Sequence, residues 1–255
     1  MRAPRWLAAG LVPASLLLPA PALAAPGGTA ATQPASCRMP LPHGAEPVTL
    51  RPACFVPGVT NRWFPLRPGA RWHYRETGPD GTSYESVTVT SQRKRILGIA
   101  AVVVRDRVTE GGRLTEDTLD WYAQDRAGAV WYLGEDTKAY AEDGTVSTEG
   151  SWQAGVGGAQ PGVVMPARPR AGQHYRQEYL VGQAEDRARV LTRDGRARVP
   201  AGSYQHVVIT EDTTPLEPGL VERKSYAPGV GLVATDETGG VRSRLLSYHH
   251  PDDHC

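Results

Sequence analysis

No stretch of ten or more residues carries an amphipathic helical stripe free of Gly, Pro or β-branched interruption, which argues against a helical bundle. The chain also has no G-x-S-x-G elbow, H-E-x-x-H helix, phosphate-binding glycine loop or C-x-x-C pair, so hydrolysis by a familiar triad finds no support. Cysteine is scarce. Cys37, Cys54 and Cys255 are too few for a disulfide scaffold or a zinc knot. Asparagine occurs once, as Asn61, and nearly all of the 28 basic side chains are arginine. With 27 acidic side chains against them, no net charge draws the chain to nucleic acid or to an anionic membrane.

What is present begins with an export signature. Arg2 and Arg5 precede the apolar run Trp6 to Leu18, and Ala22-Leu23-Ala24 follows, which places signal-peptide cleavage after Ala24. Pro13 and Pro19 interrupt the run, and it is shorter than the roughly 20 apolar residues a membrane span needs. The mature chain then carries no transmembrane segment and is secreted, or periplasmic where an outer membrane exists. Cys37 follows Pro34-Ala35-Ser36 and not an apolar triplet, so no lipid-anchor signal stands near the cut. Residues 25–60 form a Pro/Ala/Gly-rich arm, without period and partly disordered before Cys37. The arm is tied by a Cys37–Cys54 bridge, or Cys54 pairs instead with Cys255.

From Asn61 onward the pattern is that of antiparallel strands. In Arg71-Trp72-His73-Tyr74-Arg75, Trp72 and Tyr74 share one face and the charged residues the other. Tyr84 to Thr90 and Ile99 to Val108 follow as strands, separated by connections too short for helical crossovers. Leu119 to Asp136 is the most aromatic stretch, two strand-like runs that carry Trp121, Tyr122, Trp131 and Tyr132. Later strands are expected at 173–181, 188–192, 205–210, 221–226, 231–235 and 241–248. Turns are expected at Arg193-Asp194-Gly195, Pro200-Ala201-Gly202 and Thr238-Gly239-Gly240.

The order of events restarts after residue 160. His73-Tyr74-Arg75 returns as His174-Tyr175-Arg176, Val102-Val103-Val104 as Val207-Val208-Ile209, and Tyr122-Ala123 as Tyr226-Ala227, at offsets of 101, 105 and 104. A steady offset marks a duplicated unit of about 100 residues. The units are residues 61–160 and 161–255, the second ending in a His-rich tail. The expected fold is all-β and antiparallel, a strongly curved sheet or incomplete barrel, with a β-sandwich as the alternative.

Two sets of residues are candidates for chemistry. Trp63, Trp121, Tyr122, Trp131 and Tyr132 suit a small apolar molecule or a glycan on a concave face. Should the protein be an enzyme, Asp120, Asp125, Glu135 and Asp136 are the carboxylates placed to serve as general acid and base. No calcium loop is present, and His249, His250, His254 and Cys255 form a soft-ligand tail without a defined metal site. No cofactor is expected. His73 and His174 are repeat-equivalent and each stands beside arginines, so each is expected as a surface histidine, with a meeting across a pseudo-twofold axis as the alternative.

The phrases at 61–69 (NRWFPLRPG), 120–125 (DWYAQD), 130–137 (VWYLGEDT), 216–219 (LEPG) and 226–231 (YAPGVG) resemble the signature of a family of uncharacterised secreted bacterial proteins. The last phrase is also similar to one in curved-sheet periplasmic proteins related to lipoprotein carriers, which implies the fold more than an activity. The functional expectation is a secreted non-catalytic protein binding an apolar or glycan-like ligand. A carboxylate-dependent hydrolase or lyase acting on extracellular polymers, and an envelope structural protein, are the alternatives.

Overall fold

The computed structural model describes residues 37–250; the export signature, the arm before Cys37, His254 and Cys255 lie outside them. Short strands β1 (Phe55–Val56), β2 (Val59–Asn61) and β3 (Phe64–Leu66) precede five long ones: β4 (Arg71–Gly78), β5 (Gly81–Ile96), β6 (Ile99–Glu110), β7 (Arg113–Asp125) and β8 (Val130–Tyr140). Five shorter strands follow: β9 (Val146–Ser147), β10 (Trp152–Gln153), β11 (Gln160–Met165), β12 (His174–Arg176) and β13 (Glu178–Tyr179). The chain closes with β14 (Arg187–Val199), β15 (Gly202–Thr213), β16 (Val221–Ala227), β17 (Gly231–Glu237) and β18 (Arg242–His249). Among the described residues the only helical element is a turn of 3-10 helix at Pro52–Cys54.

One antiparallel sheet runs β12-β14-β15-β16-β17-β18-β4-β5-β6-β7-β8-β11-β13. Its two ends, β12 and β13, are nearly consecutive in the chain, so the sheet curls into a nearly closed barrel and not a sandwich of two sheets. Two meanders build it, β4 to β8 and β14 to β17, and β18 joins the second to the first. They share a register: Val102, Val104 and Asp106 face Tyr122, Asp120 and Thr118, while Val208, Thr210 and Asp212 face Tyr226, Lys224 and Glu222. His73 and His174 do not meet. His73 is exposed on β4, and His174, also exposed, lies tilted against His43 at 4.7 Å.

Alternation sets the inside of the barrel. Trp72 and Tyr74 are buried between exposed Arg71, His73 and Arg75. Phe64 touches Tyr122 of β7 (5.3 Å) and Tyr226 of β16 (6.2 Å), strands six places apart in the sheet, so these tyrosines face each other across the interior. The β2–β3 hairpin that carries Phe64 therefore plugs one end. Asn61, the single asparagine, latches it: its amide donates to the carbonyls of Gly128 (2.8 Å) and Pro166 (3.3 Å), and its Oδ1 accepts from the Trp63 amide. The arm is bound to the outer wall. Cys37 and Cys54 are bridged, β1 pairs with β7, and the guanidinium of Arg176 donates to the carbonyls of Gly44, Glu46 and Pro161.

Two irregularities depart from the sequence pattern. Arg193-Asp194-Gly195, expected as a turn, is a bulged stretch inside β14, with Gly195 packed where a Cβ would lie 2.7 Å from Ile209 Cδ1. On β8, Tyr132 and Glu135 oppose Tyr122 and Asp120, so three steps on β8 match two on β7. The extra residue is accommodated at Gly134, whose φ is 129°. This bulge turns Glu135 onto the same inner face as Tyr132, where strict alternation would send it out.

A Cβ at Gly134 would sit 2.2 Å from the carbonyl oxygen of Trp152. Gly134→Ala is expected to cost about 3 kcal/mol or more by chemical denaturation, from strain and overlap together. Gly111→Ala, at φ 58° with open space around it, is expected to cost only about 1 kcal/mol. Removing the Cys37–Cys54 bridge, which closes a separation of 17 residues, should cost about 3 kcal/mol in the same measurement.

Candidate acidic and aromatic site on the concave face

The concave face is lined with aromatics. Tyr122 and Tyr132 stack at 4.8 Å, Trp152 meets Tyr132 edge-on at 5.2 Å, and the Tyr74 hydroxyl donates to the Leu232 carbonyl at 2.9 Å. Beside them stands a row of carboxylates on four adjacent strands: Glu85 on β5, Asp106 on β6, Glu116 and Asp120 on β7, and Glu135 on β8. All five side chains are half-buried. The Tyr132 hydroxyl donates to Asp120 Oδ1 at 2.6 Å. Thr118 donates to Glu116 (3.0 Å) and Thr137 to Glu135 (3.2 Å), and the two threonine hydroxyls are themselves 3.0 Å apart.

Water reaches part of each side chain, yet the carboxyl groups lie deep enough that lost solvation dominates their protonation. Burial, followed by the charges of Glu76, Glu116 and Asp120, raises Glu85 to about 7 against the lowering effect of its hydrogen bond with Asp106. Asp106 is pushed well above the carboxylate range by burial and then by Glu85, so the pair holds a proton at neutral pH. Burial raises Asp120 to about 6, although its Tyr132 hydrogen bond opposes this. Glu135 is raised well above its ordinary value by burial and then by Asp120.

The facing wall is built differently. Lys224 Nζ lies 2.9 Å from Glu222 Oε2 and 3.2 Å from Asp212 Oδ2, and Gln177 also donates to Asp212. Glu178, bonded to Trp152 Nε1 at 3.0 Å, is raised by burial and then by Asp186 and Glu135, so the two walls sense each other. At the rim, a groove of about 390 Å³ lies between the β4–β5 turn, the β15–β16 connection and the β17–β18 turn, with Asp80, Glu217 and Glu237 in its lining. Among the described residues, no three His, Cys, Asp or Glu side chains are grouped to hold a metal ion.

The sequence candidates divide between the faces. Tyr122 and Tyr132 are inside, with Asp120 and Glu135 as cross-strand partners beside them. Trp121 and Trp131 alternate to the outer face and are sealed there, Trp121 under the Lys94 ammonium at 3.3 Å and Trp131 fully buried. Trp63, between β2 and β3, is half-buried and donates to the His206 carbonyl. Asp125 is consumed structurally: it accepts from the amides of Gly128 and Ala129 and from Trp131 Nε1 at 2.8–3.0 Å. Asp136, opposite Leu119, belongs to the outer face with Lys94 as its nearby cation. Glu85, Asp106 and Lys224 are site residues that the sequence reading missed. Parity could have found the first two, because Glu85 shares a face with Val87 and Val89, and Asp106 with Val102 and Val104.

No protein-family model and no curated protein matches the chain. Among solved structures, the chain is similar to one described as a putative lipoprotein from Parabacteroides distasonis ATCC 8503, with 12% identity, 74% of this chain and 99% of that chain covered, and a TM-score of 0.40. A likeness at that level bears on neither activity nor location. No helix among the described residues is long and apolar enough to cross a membrane.

The raised carboxyls fix the sign of the pH response. The folded state binds more protons than the unfolded chain between the ordinary value of 4.5 and the folded value of about 7 for Glu85, so its contribution is complete below 4.5 and is lost as pH rises through 7. Asp117, held low by its hydrogen bond to Arg105, and Glu46, held near 2 by the His43 backbone amide, act in the opposite sense only below about 4. Scanning calorimetry should therefore show the melting temperature falling by about 5 °C or more from pH 5 to pH 8. The double variant Glu85→Gln, Asp106→Asn should flatten that slope.

Proposed function

We propose that the protein is an exported binding protein that holds a small ligand on the concave, aromatic-lined face of its sheet. The observation that carries this reading is the stacked Tyr122–Tyr132 pair on the inner face of the sheet, beside half-buried carboxylates and with one end of the barrel plugged by the β2–β3 hairpin. Tyr122 and Tyr132 form the platform for an apolar or sugar ring, while Trp121 and Trp131 stiffen the wall behind them. Export is supported by the basic, apolar and small-residue order of the N-terminus and by the Cys37–Cys54 bridge, which suits an oxidising compartment. The common register of the two meanders supports their descent from one duplicated unit, and the five quoted phrases support membership of a family of secreted bacterial proteins.

A carboxylate-dependent hydrolase or lyase is the second reading. It is supported by Asp120 and Glu135, cross-strand neighbours in the lumen whose proton affinities are both raised. It is the weaker reading because each carboxylate already accepts a hydrogen bond from the wall, from Tyr132 or Thr137.

Calorimetric screening of the mature chain against neutral oligosaccharides, fatty alcohols and aliphatic amines should find at least one binder. Tyr132→Ala should weaken that binding about tenfold, in line with the loss of one aromatic contact. Trp131→Ala should instead destabilise the fold by about 4 kcal/mol. Absence of any binder, with Tyr132→Ala altering stability alone, removes the proposal.

A further inference from the structure

Resting on the binding reading, we propose that the ligand is a primary aliphatic amine whose ammonium group is received by Asp106, Asp120 and the carboxylates around them. The argument starts from the shared register. Asp106 and Asp120 of the first meander occupy the places that Asp212 and Lys224 occupy in the second, and Thr118 stands where Glu222 does. On the second wall a tethered ammonium thus bridges two carboxylates, Asp212 at 3.2 Å and Glu222 at 2.9 Å. On the first wall the corresponding position is Asp120. The cation is replaced by one more acid.

Glu85, Asp106, Glu116, Asp120 and Glu135 consequently face one lumen, and among the described residues none of them forms an ion pair. Beside that clustering, one carboxylate oxygen on each wall receives no protein donor. Asp106 Oδ1 and Asp212 Oδ1, at register-equivalent positions, are buried without a hydrogen-bond partner, and Asp212 as a whole is only 3% exposed. Buried carboxylate oxygens ordinarily find donors, and an ammonium brings three. A neutral glycan cannot supply the positive charge that would let these proton-holding carboxyls ionise together. A primary amine can, with its chain laid against the Tyr122–Tyr132 stack in a cation–π and apolar contact. Asp80, Glu217 and Glu237 at the rim groove extend the negative field to the entrance and favour entry of a cation.

Isothermal titration at low ionic strength with 1,5-diaminopentane, 1,5-pentanediol and calcium chloride separates the possibilities. The diamine should bind and the diol, its neutral counterpart, should not. Asp120→Lys restores the arrangement of the second wall and should abolish diamine binding while circular dichroism remains unchanged. Should that variant fail to fold, Asp106→Asn should weaken diamine binding at least about tenfold, the scale of a charge-assisted hydrogen bond. Diamine binding that is indifferent to both variants, or calcium binding in place of the diamine, overturns the inference. So does binding of a neutral oligosaccharide without the diamine, which would leave the wider binding proposal standing; failure of every ligand removes both.

Discussion

Pairing of β18 with β4 is the contact on which the barrel depends. It runs from Arg242 opposite Thr77 to His249 opposite Arg71 and unites strands that lie more than 150 residues apart in the chain. Without it, the meanders would be two curved ribbons, each with open edges and a solvated inner face. With it, Tyr74 and Leu245 become neighbours inside, and Tyr226 comes to face Tyr122 across a common interior. The proton affinities of the inner carboxylates follow from this enclosure, since burial is the largest cause of every raised value among them.

The interior is zoned along its axis. Apolar side chains such as Val102, Val130 and Val208 are buried toward the end that the β2–β3 hairpin stoppers. Toward the other rim the same strands place Glu85, Asp106, Glu116 and Glu135 inward. Apolar burial and clustered carboxyls thereby fall at opposite ends of the strands. The stoppered end gains from apolar burial, and at the acidic end desolvation and mutual repulsion raise the carboxyls' proton affinities.

Strand type and inner face were legible in the sequence wherever alternation was unbroken, as in Trp72 and Tyr74 between arginines. Legibility failed where long-range structure overrides parity. The bulge at Gly134 reverses the face of Glu135, and only pairing with β7 reveals it. Trp121 and Trp131 read as concave-face aromatics, yet they alternate outward and are buried there, Trp131 with its indole nitrogen bonded to Asp125. Asp125 read as a candidate acid because nothing local shows that the Gly128 and Ala129 amides claim it. The acidic lumen was half legible: Asp120 and Glu135 stood out beside the aromatics, but Glu85 and Asp106 needed the β5–β6 register to join them.

The stoppering hairpin also carries a consequence for the order in which the molecule assembles. Some of its partners come from the first meander and some are made late: the Gly229 amide donates to the Arg62 carbonyl, and Trp63 Nε1 donates to the carbonyl of His206. An N-terminal segment whose docking site is completed only by late strands cannot finish docking while the chain is still emerging. Contacts at such sequence separations slow folding, and full seating of the stopper waits for the closing strands.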